Sequence, residues 1–243
     1  MKRLVLFDID ETIISSGGTG RRAISRVLQK EYLLDEEFGH INMSGKTDPQ
    51  ILKEIFEYLE KPHLYSLDNL ATFFDHYLAA LKDEVEQSEG FKVHDGVESL
   101  LIALSSRSNS YLGLVTGNLE KGARLKLDRA HLNQYFPIGA YGSDSANRLD
   151  LPAIAAERAN RYYKQKFSPS EVVIIGDSVN DILCAKHYGA KCIAVNTGKT
   201  SWQELEVLNP EFLIKDLSNN EAVIAAIYSS TTEASPNNVG QRV

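Results

Sequence analysis

The chain has 243 residues, of which 43% are hydrophobic, so it carries enough apolar side chains to bury a substantial core. Its formal net charge of −7 disfavours a surface built to hold DNA or RNA, and nucleic acid is not an expected partner. The sequence contains no run close to the roughly 20 consecutive apolar residues that a membrane span needs. We therefore expect a cytoplasmic protein that does not contact a membrane.

Short apolar runs that favour β-structure recur along the chain and alternate with helical patterns. They cover residues 3–7, 111–115, 137–141, 171–175 and 191–195. Strands that alternate with helices favour a parallel sheet. The nearly continuous hydrophobicity of LVLF and VVII is typical of strands covered by helices on both faces. The sequence therefore predicts an α/β fold built on a doubly wound parallel sheet.

About a hundred residues separate the first two predicted strands, although a parallel crossover needs only about a dozen. Helical patterns within this stretch cover residues 19–33, 47–60 and 67–87. Thr47 or Asp48 is the expected N-cap of the second helix, because a proline follows in its first turn. The stretch is therefore expected to form an inserted helical domain.

The joints of this insertion are rich in turn-forming residues. Gly17 and Gly18 precede the first helix, and SEGFKVHDG follows the last one. We predict a mobile helical cap at 16–89 inserted into a core that comprises 1–15 and 90–228.

Two smaller features complete the expected organisation. Residues 229–243 are polar and poor in apolar side chains, which predicts a flexible tail. Cys184 and Cys192 lie in an apolar helix and strand, so buried thiols are favoured over a disulfide.

Polar residues stand where several predicted strands end or where the next helix begins. They are Asp8 and Asp10, then Thr116, Gly117 and Asn118, then Arg148 ahead of the helix LPAIAAERA, and finally Asp177 and Asp181. In an open parallel sheet these ends form the crevice where ligands bind. Four converging carboxylates repel one another unless a cation is present, and oxygen ligands select Mg²⁺, which often also binds a phosphate. The turn amides near Gly117 could hold such an anion.

The segments DIDET, VTGN, Arg148 with its helix, and GDSVND resemble the four ordered motifs of the haloacid dehalogenase superfamily. The insertion after the first motif is similar to the helical cap of the phosphoglycolate phosphatase-like and beta-phosphoglucomutase-like branch. This resemblance covers nearly the whole core. It implies a Mg²⁺-dependent phosphatase, a monomer or a dimer, that hydrolyses a small phosphorylated metabolite such as phosphoglycolate or a sugar phosphate.

The resemblance also implies roles for the first and last motifs. Asp8 would be the nucleophile that takes the phosphoryl group, and Asp10 would protonate the leaving oxygen and then activate water. Asp8, the main-chain carbonyl of Asp10 and Asp177 would ligate Mg²⁺, and Asp181 would support these ligands. Neighbouring negative charge is expected to raise the proton affinity of Asp10.

The two middle motifs and the cap supply the expected contacts with substrate. Thr116 and Arg148 would hold the phosphoryl oxygens, although lysine is more usual than arginine in the third motif. Arg22 and Lys46 of the cap could face the substrate, with an exposed surface charge as an equal alternative. Glu11 stands where the family often has a small residue.

Other functions remain open at the level of sequence. A phosphomutase of the same branch is the close alternative, and a non-enzymatic sensor of phosphate or of a metabolite is the alternative from another class. A calcium loop at DIDET is disfavoured because Ile13 and Thr19 stand where that loop needs Gly and Glu.

Overall fold

The computed structural model describes residues 1–35 and 38–230. Its strands, in chain order, are β1 (Arg3–Phe7), β2 (Ile14–Ser15), β3 (Lys92–Val93), β4 (Ser110–Val115), β5 (Gly139–Ala140), β6 (Val172–Gly176), β7 (Lys191–Val195) and β8 (Phe212–Ile214). Its α-helices are α1 (Thr19–Tyr32), α2 (Asp48–Tyr58), α3 (Leu67–Gln87), α4 (Val97–Ser105), α5 (Glu120–Arg129), α6 (Leu151–Tyr163), α7 (Val179–Tyr188), α8 (Trp202–Val207) and α9 (Asn220–Tyr228).

The main sheet has six parallel strands in the order β5-β4-β1-β6-β7-β8. Side chains of β1 alternate between its two faces. Val5 and Phe7 pack with α4, α5 and α9, whereas Leu4 and Leu6 pack with α6, α7 and α8. Helices therefore cover both faces, and the predicted doubly wound α/β fold is confirmed.

The strand predictions held, with differences at the sheet edges. The run at 137–141 pairs only over Gly139–Ala140, and β8 was not predicted. A strand as short as β8, which directly follows Pro210 and Glu211, carries too little periodicity to be recognised.

The inserted segment, residues 16–89, contains α1, α2 and α3. These helices share an apolar cluster that includes Ile24, Phe56 and Phe73. Thr47 caps α2, because its Oγ1 accepts the N–H of Gln50 at 3.2 Å. The helices thus begin and end within two residues of the predicted bounds. The domain boundaries themselves stay a prediction.

Two chain crossings connect the inserted segment to the sheet. β2 and β3 pair antiparallel at the crossings, and the Ser88 hydroxyl donates to the Ser16 carbonyl at 3.0 Å. Gly17 has a φ of +67°, and a side chain there would meet Ser88 and Gly90. The two connections therefore touch each other at glycines, as the turn-prone composition indicated. Motion of the segment stays a prediction.

The remaining expectations concern cysteines, membranes and the tail. Cys184 and Cys192 are buried and unpaired, as expected. Among the helices of the described chain, none combines the length and apolarity needed to cross a bilayer. The tail predicted at 229–243 lies outside the described residues from 231 onward.

Candidate active site

Three carboxylates meet at the carboxyl end of the central strands. Asp8 directly follows β1, Asp177 directly follows the neighbouring β6, and Asp181 lies in the first turn of α7. One oxygen from each lies within 4.8 Å of the others, and all three residues are buried. Because Phe7 and Ile175 are paired in register, the residues after them reach the same edge of the sheet. The structure thus brings these three predicted site residues together.

Arg148 enters this cluster from the short helical turn before α6 and is 5% exposed. Its Nη2 lies 3.1 Å from Asp8 Oδ1 and 2.5 Å from Asp181 Oδ1. Burial alone would lower the pKa of the guanidinium, but Asp181 and Asp8 outweigh that effect and raise it. Its Nε is buried without a hydrogen-bond partner within residues 1–35 and 38–230. Arg148 is therefore a buried cation paired with two of the three carboxylates.

The carboxylate cluster holds more negative charge than Arg148 neutralises. Burial raises the pKa of Asp8 to about 6, and the charges of Asp181 and Asp10 add to this rise while Arg148 opposes it. The pKa of Asp177 is also raised, first by burial and then by Asp181 and Asp8. Carboxylate oxygens this close, with too little positive charge, fit a hard divalent cation. The cluster therefore fits a metal site.

Neighbouring residues hold Asp177 and Asp181 in place. The Thr12 hydroxyl donates to Asp177 Oδ1 at 3.1 Å, and the Ser178 amide donates to Asp181 Oδ2 at 3.0 Å. Gly198, in the loop after β7, passes so close that a Cβ there would lie 1.8 Å from Asp177 Oδ2. The position of Asp177 therefore depends on the absence of a side chain at residue 198.

Asp10 lies in a different environment, although it is two residues from Asp8. Both of its oxygens contact Lys126 Nζ, at 2.8 and 2.7 Å. Asn118 Nδ2 and the Ser16 hydroxyl donate to it at 2.8 and 3.0 Å. Burial would raise the pKa of Asp10, but the Lys126 ammonium and these hydrogen bonds lower it. The expected rise in the proton affinity of Asp10 is therefore wrong.

Lys126 was missed in the sequence because a lysine in the helix EKGARLKLDR reads as a solvated charge. It is 3% exposed. The signal that could have found it is helical spacing: Gly122 and Ala130 are four residues away on either side, and Ala123 is three residues before it. All three are small and buried, which places Lys126 on the inward face of α5.

The residues after β4 form the predicted phosphate loop. Thr116 is buried and accepts a hydrogen bond from Asn118 Nδ2 at 2.9 Å. The Asp48 amide of the inserted segment donates to the Gly117 carbonyl at 2.8 Å. A Cβ on Gly117 would lie 2.0 Å from the Lys46 carbonyl oxygen, so only glycine permits this approach. The inserted segment thus lies directly on the loop.

The Asp48 side chain lies beside the predicted phosphate loop. Its Oδ2 accepts the Leu119 amide at 2.8 Å, where α5 begins. Burial raises the pKa of Asp48 to about 6, with Lys126 and the Leu119 amide opposing the rise. The amide next to the predicted phosphate loop therefore binds a carboxylate of the inserted segment.

Arg22 and Lys46, for which contact with substrate and an exposed surface charge were equal expectations, are both ion-paired within the inserted segment. Arg22 Nε lies 2.6 Å from Glu84, and Lys46 Nζ lies 2.5 Å from Glu54. The Lys46 backbone touches the phosphate loop, whereas Arg22 also donates to the Gly17 carbonyl at the chain crossing. Lys46 is thus the one that adjoins the loop.

Comparison with known proteins identifies a family whose sequence pattern this chain matches. The sequence profile of the haloacid dehalogenase-like hydrolases matches residues 5–195. The chain is 23% identical over 216 residues to pyrophosphatase PpaX of Anoxybacillus flavithermus, covering 88% of this chain and 93% of the relative. It is 23% identical to phosphoglycolate phosphatase of Escherichia coli over 168 residues, which are 68% of this chain and 62% of that protein.

A solved structure shares the fold. Beta-phosphoglucomutase from Clostridium difficile superimposes with a TM-score of 0.75 at 17% identity, over 93% of this chain and 97% of the other. At that identity the likeness concerns the architecture alone.

Proposed function

The chain belongs to the haloacid dehalogenase-like hydrolase family, and we propose that it is a Mg²⁺-dependent phosphatase that hydrolyses a small phosphorylated metabolite. The observation that carries the proposal is the buried cluster of Asp8, Asp177 and Asp181 with Arg148 against it. Such a set of charges suits a metal cation and a phosphoryl group together.

The nucleophile in this proposal is Asp8. One of its oxygens attacks phosphorus and forms an aspartyl-phosphate as the bond to the leaving oxygen breaks. Asp10 gives that oxygen a proton, which it takes up against the effect of Lys126 when the negatively charged substrate binds beside it. Asp10 then takes a proton from water as the water oxygen attacks phosphorus, which frees Asp8. Phosphate and the dephosphorylated metabolite are the products.

The remaining residues hold the phosphoryl group and the cation. Arg148 and the phosphate loop of Thr116, Gly117 and Asn118 donate to phosphoryl oxygens. Asp8, the main-chain carbonyl of Asp10 and Asp177 would hold Mg²⁺, which supplies positive charge that offsets the repulsion between two anions. Asp181 holds Arg148 in place.

The substrate class rests on the relatives. Those named as phosphoglycolate phosphatases make phosphoglycolate the first compound to test, with sugar phosphates next. Among cap residues, Lys46 is the better candidate for contacting substrate, and Arg22 would do so only by leaving Glu84. The unpaired Cys184 and Cys192 agree with a reducing cytoplasm.

Hydrolysis of para-nitrophenyl phosphate and of a panel of phosphorylated metabolites tests the proposal. We expect phosphate release that requires Mg²⁺, ends with EDTA and is lost in Asp8→Asn. Asp95→Asn, which removes an exposed carboxylate, is the matched control and should keep wild-type turnover. Phosphate release that survives Asp8→Asn would contradict the proposal, and conversion of a sugar phosphate into its isomer without free phosphate would identify a mutase.

A further inference from the structure

Lys126 is a buried cation at the site to which neither the motifs nor the comparisons assign a role. Its Nζ makes contacts of 2.8 and 2.7 Å with the two oxygens of Asp10 and of 2.7 Å with Asn118 Oδ1. Burying an ammonium is costly unless it is paired with an opposite charge and hydrogen-bonded, as it is here.

The contacts of Lys126 leave it nothing to offer a substrate. An ammonium has three protons, and three acceptor oxygens surround this one. The Lys126 side chain is 4% exposed, whereas that of Asp10 is 34% exposed. Because Asp10 and Asn118 occupy all three protons of Lys126, any effect of Lys126 on the reaction passes through these two residues, and Asp10 is the exposed member of the ion pair.

The same contacts fix the direction of Asp10. Asn118 also contacts Asp10, because its Nδ2 donates both to Asp10 Oδ2 and to Thr116 Oγ1. Lys126 is in turn held by α5, which packs against α3 of the inserted segment, with Leu81 3.2 Å from a Cβ placed on Gly122. Lys126 and Asn118 therefore link the Asp10 carboxylate to the phosphate loop, and the packing of α5 against α3 fixes the position of Lys126.

We propose that Lys126 is a positioning residue that holds the Asp10 carboxylate beside the phosphate loop, in the orientation from which it exchanges protons with the leaving group and with water. The inference rests on the proposed function, since it concerns the acid and base of that reaction. It extends that function to a residue on α5 that lies outside the four motifs.

Substrates with different leaving groups test the inference, because para-nitrophenolate leaves with little protonation whereas an alkoxide must be protonated. In Lys126→Met we expect kcat/KM, which reports only the steps up to departure of the leaving group, to fall about 100-fold on an alkyl phosphate and about threefold on para-nitrophenyl phosphate. Lys121→Met, on an exposed position of the same helix, is the matched control and should change neither. An equal loss on both substrates would overturn the inference.

A double-mutant cycle separates positioning from general stabilisation. In an Asp10→Asn background, Lys126→Met should change kcat/KM on the alkyl phosphate less than about threefold, because the group it positions is already disabled. A full additional loss would show that Lys126 acts independently of Asp10. If Lys126→Met does not fold, Lys126→Gln is measured instead: its uncharged amide has two donors in place of three, so we expect a smaller loss that is still greater on the alkyl phosphate than on para-nitrophenyl phosphate.

A crystal structure of Lys126→Met tests the inference without an activity assay. We expect Asp10 to turn away from Asn118 in Lys126→Met, and an unchanged Asp10 rotamer would overturn the inference. Wild-type protein that released no phosphate from any compound would instead count against the proposed function, so the two failures are distinguishable.

Discussion

Asp8 and Asp10 stand two residues apart after the same strand, yet their surroundings have opposite electrostatic characters. Asp8 lies against two further carboxylates and one arginine, and its pKa is raised to about 6, chiefly by burial. Asp10 lies against a lysine and two neutral donors, and these outweigh its burial and lower its pKa. The first environment has more negative than positive charge, whereas the charge of Asp10 is matched by that of Lys126.

This contrast assigns different needs to the two carboxylates. The Asp8 cluster gains stability from any divalent cation or proton that reduces its repulsion. Asp10 already has its counterion within the protein, so added metal does little for its side chain. Buried charge alone therefore does not mark a metal site; the balance of charges around it does.

The largest effect is expected from Asp8→Asn. It should reduce phosphate release at least about 10³-fold, because the amide cannot attack phosphorus. It should not lower the thermal midpoint of the metal-free protein, since it removes one of three repelling charges. Phosphatase assays and thermal unfolding in EDTA check both, and a clear drop in the midpoint would contradict the proposed repulsion.

Gly198→Ala should act on the cluster without touching its chemistry. Its new Cβ would lie 1.8 Å from Asp177 Oδ2, so Asp177 must move. We expect Mg²⁺ affinity to fall about 10- to 100-fold in calorimetric titrations. Gly39→Ala is the matched control, because nothing lies within 4 Å of a Cβ there. Equal Mg²⁺ affinities in the two variants would show that residue 198 does not set the site.

The stability of the metal-free protein should fall as the pH rises, because the pKa values of two buried carboxyl groups are raised in the folded state. Asp8 and Asp48 have pKa values of about 6 in the folded protein against 3.8 ordinarily, so the folded state binds more protons between these values. Their contribution to stability is complete below about pH 4 and is lost as the pH rises through about 6.

Single substitutions test which carboxyl groups cause this pH dependence. Thermal midpoints in EDTA should fall less steeply across that range in Asp8→Asn and in Asp48→Asn. Asp10→Asn should change the slope less than either, because the lowered pKa of Asp10 places its own titration below that range and its charge is only a minor cause of the raised pKa values of Asp8 and Asp48. A slope that responds to Asp10→Asn and not to Asp8→Asn would reverse the comparison.

The sequence predicted that Asp8, Asp177 and Asp181 meet, but it gave the wrong direction for the proton affinity of Asp10. Both outcomes have one physical reason. Carboxyl ends of neighbouring parallel strands meet, so residues after β1 and β6 converge wherever those strands pair. The surroundings of Asp10 depend instead on Lys126, which reaches it only through the packing of α5 in three dimensions. The contact between Asp48 and Leu119 was not predicted for the same reason, because it depends on how the insertion lies on the sheet.

The smallest effect is expected at Glu11, on the turn that separates the two carboxylates. Its φ of +59° is unfavourable for a residue with a side chain, although its carboxylate accepts the Ser15 hydroxyl at 3.0 Å. Glu11→Gly should exceed Glu11→Ala in unfolding free energy by about 1 kcal/mol, as measured by urea denaturation. Equal stabilities would show that the turn carries no backbone strain.

The central claim is that Asp8 takes the phosphoryl group beside a cation shared with Asp177. A crystal structure of the protein with Mg²⁺ and beryllium fluoride, which imitates a phosphoryl group on a carboxylate, tests this most directly. The account predicts the fluoride on an Asp8 oxygen, Arg148 donating to it and Mg²⁺ bound by Asp8 and Asp177. An unmodified Asp8, with Mg²⁺ bound elsewhere, would contradict it.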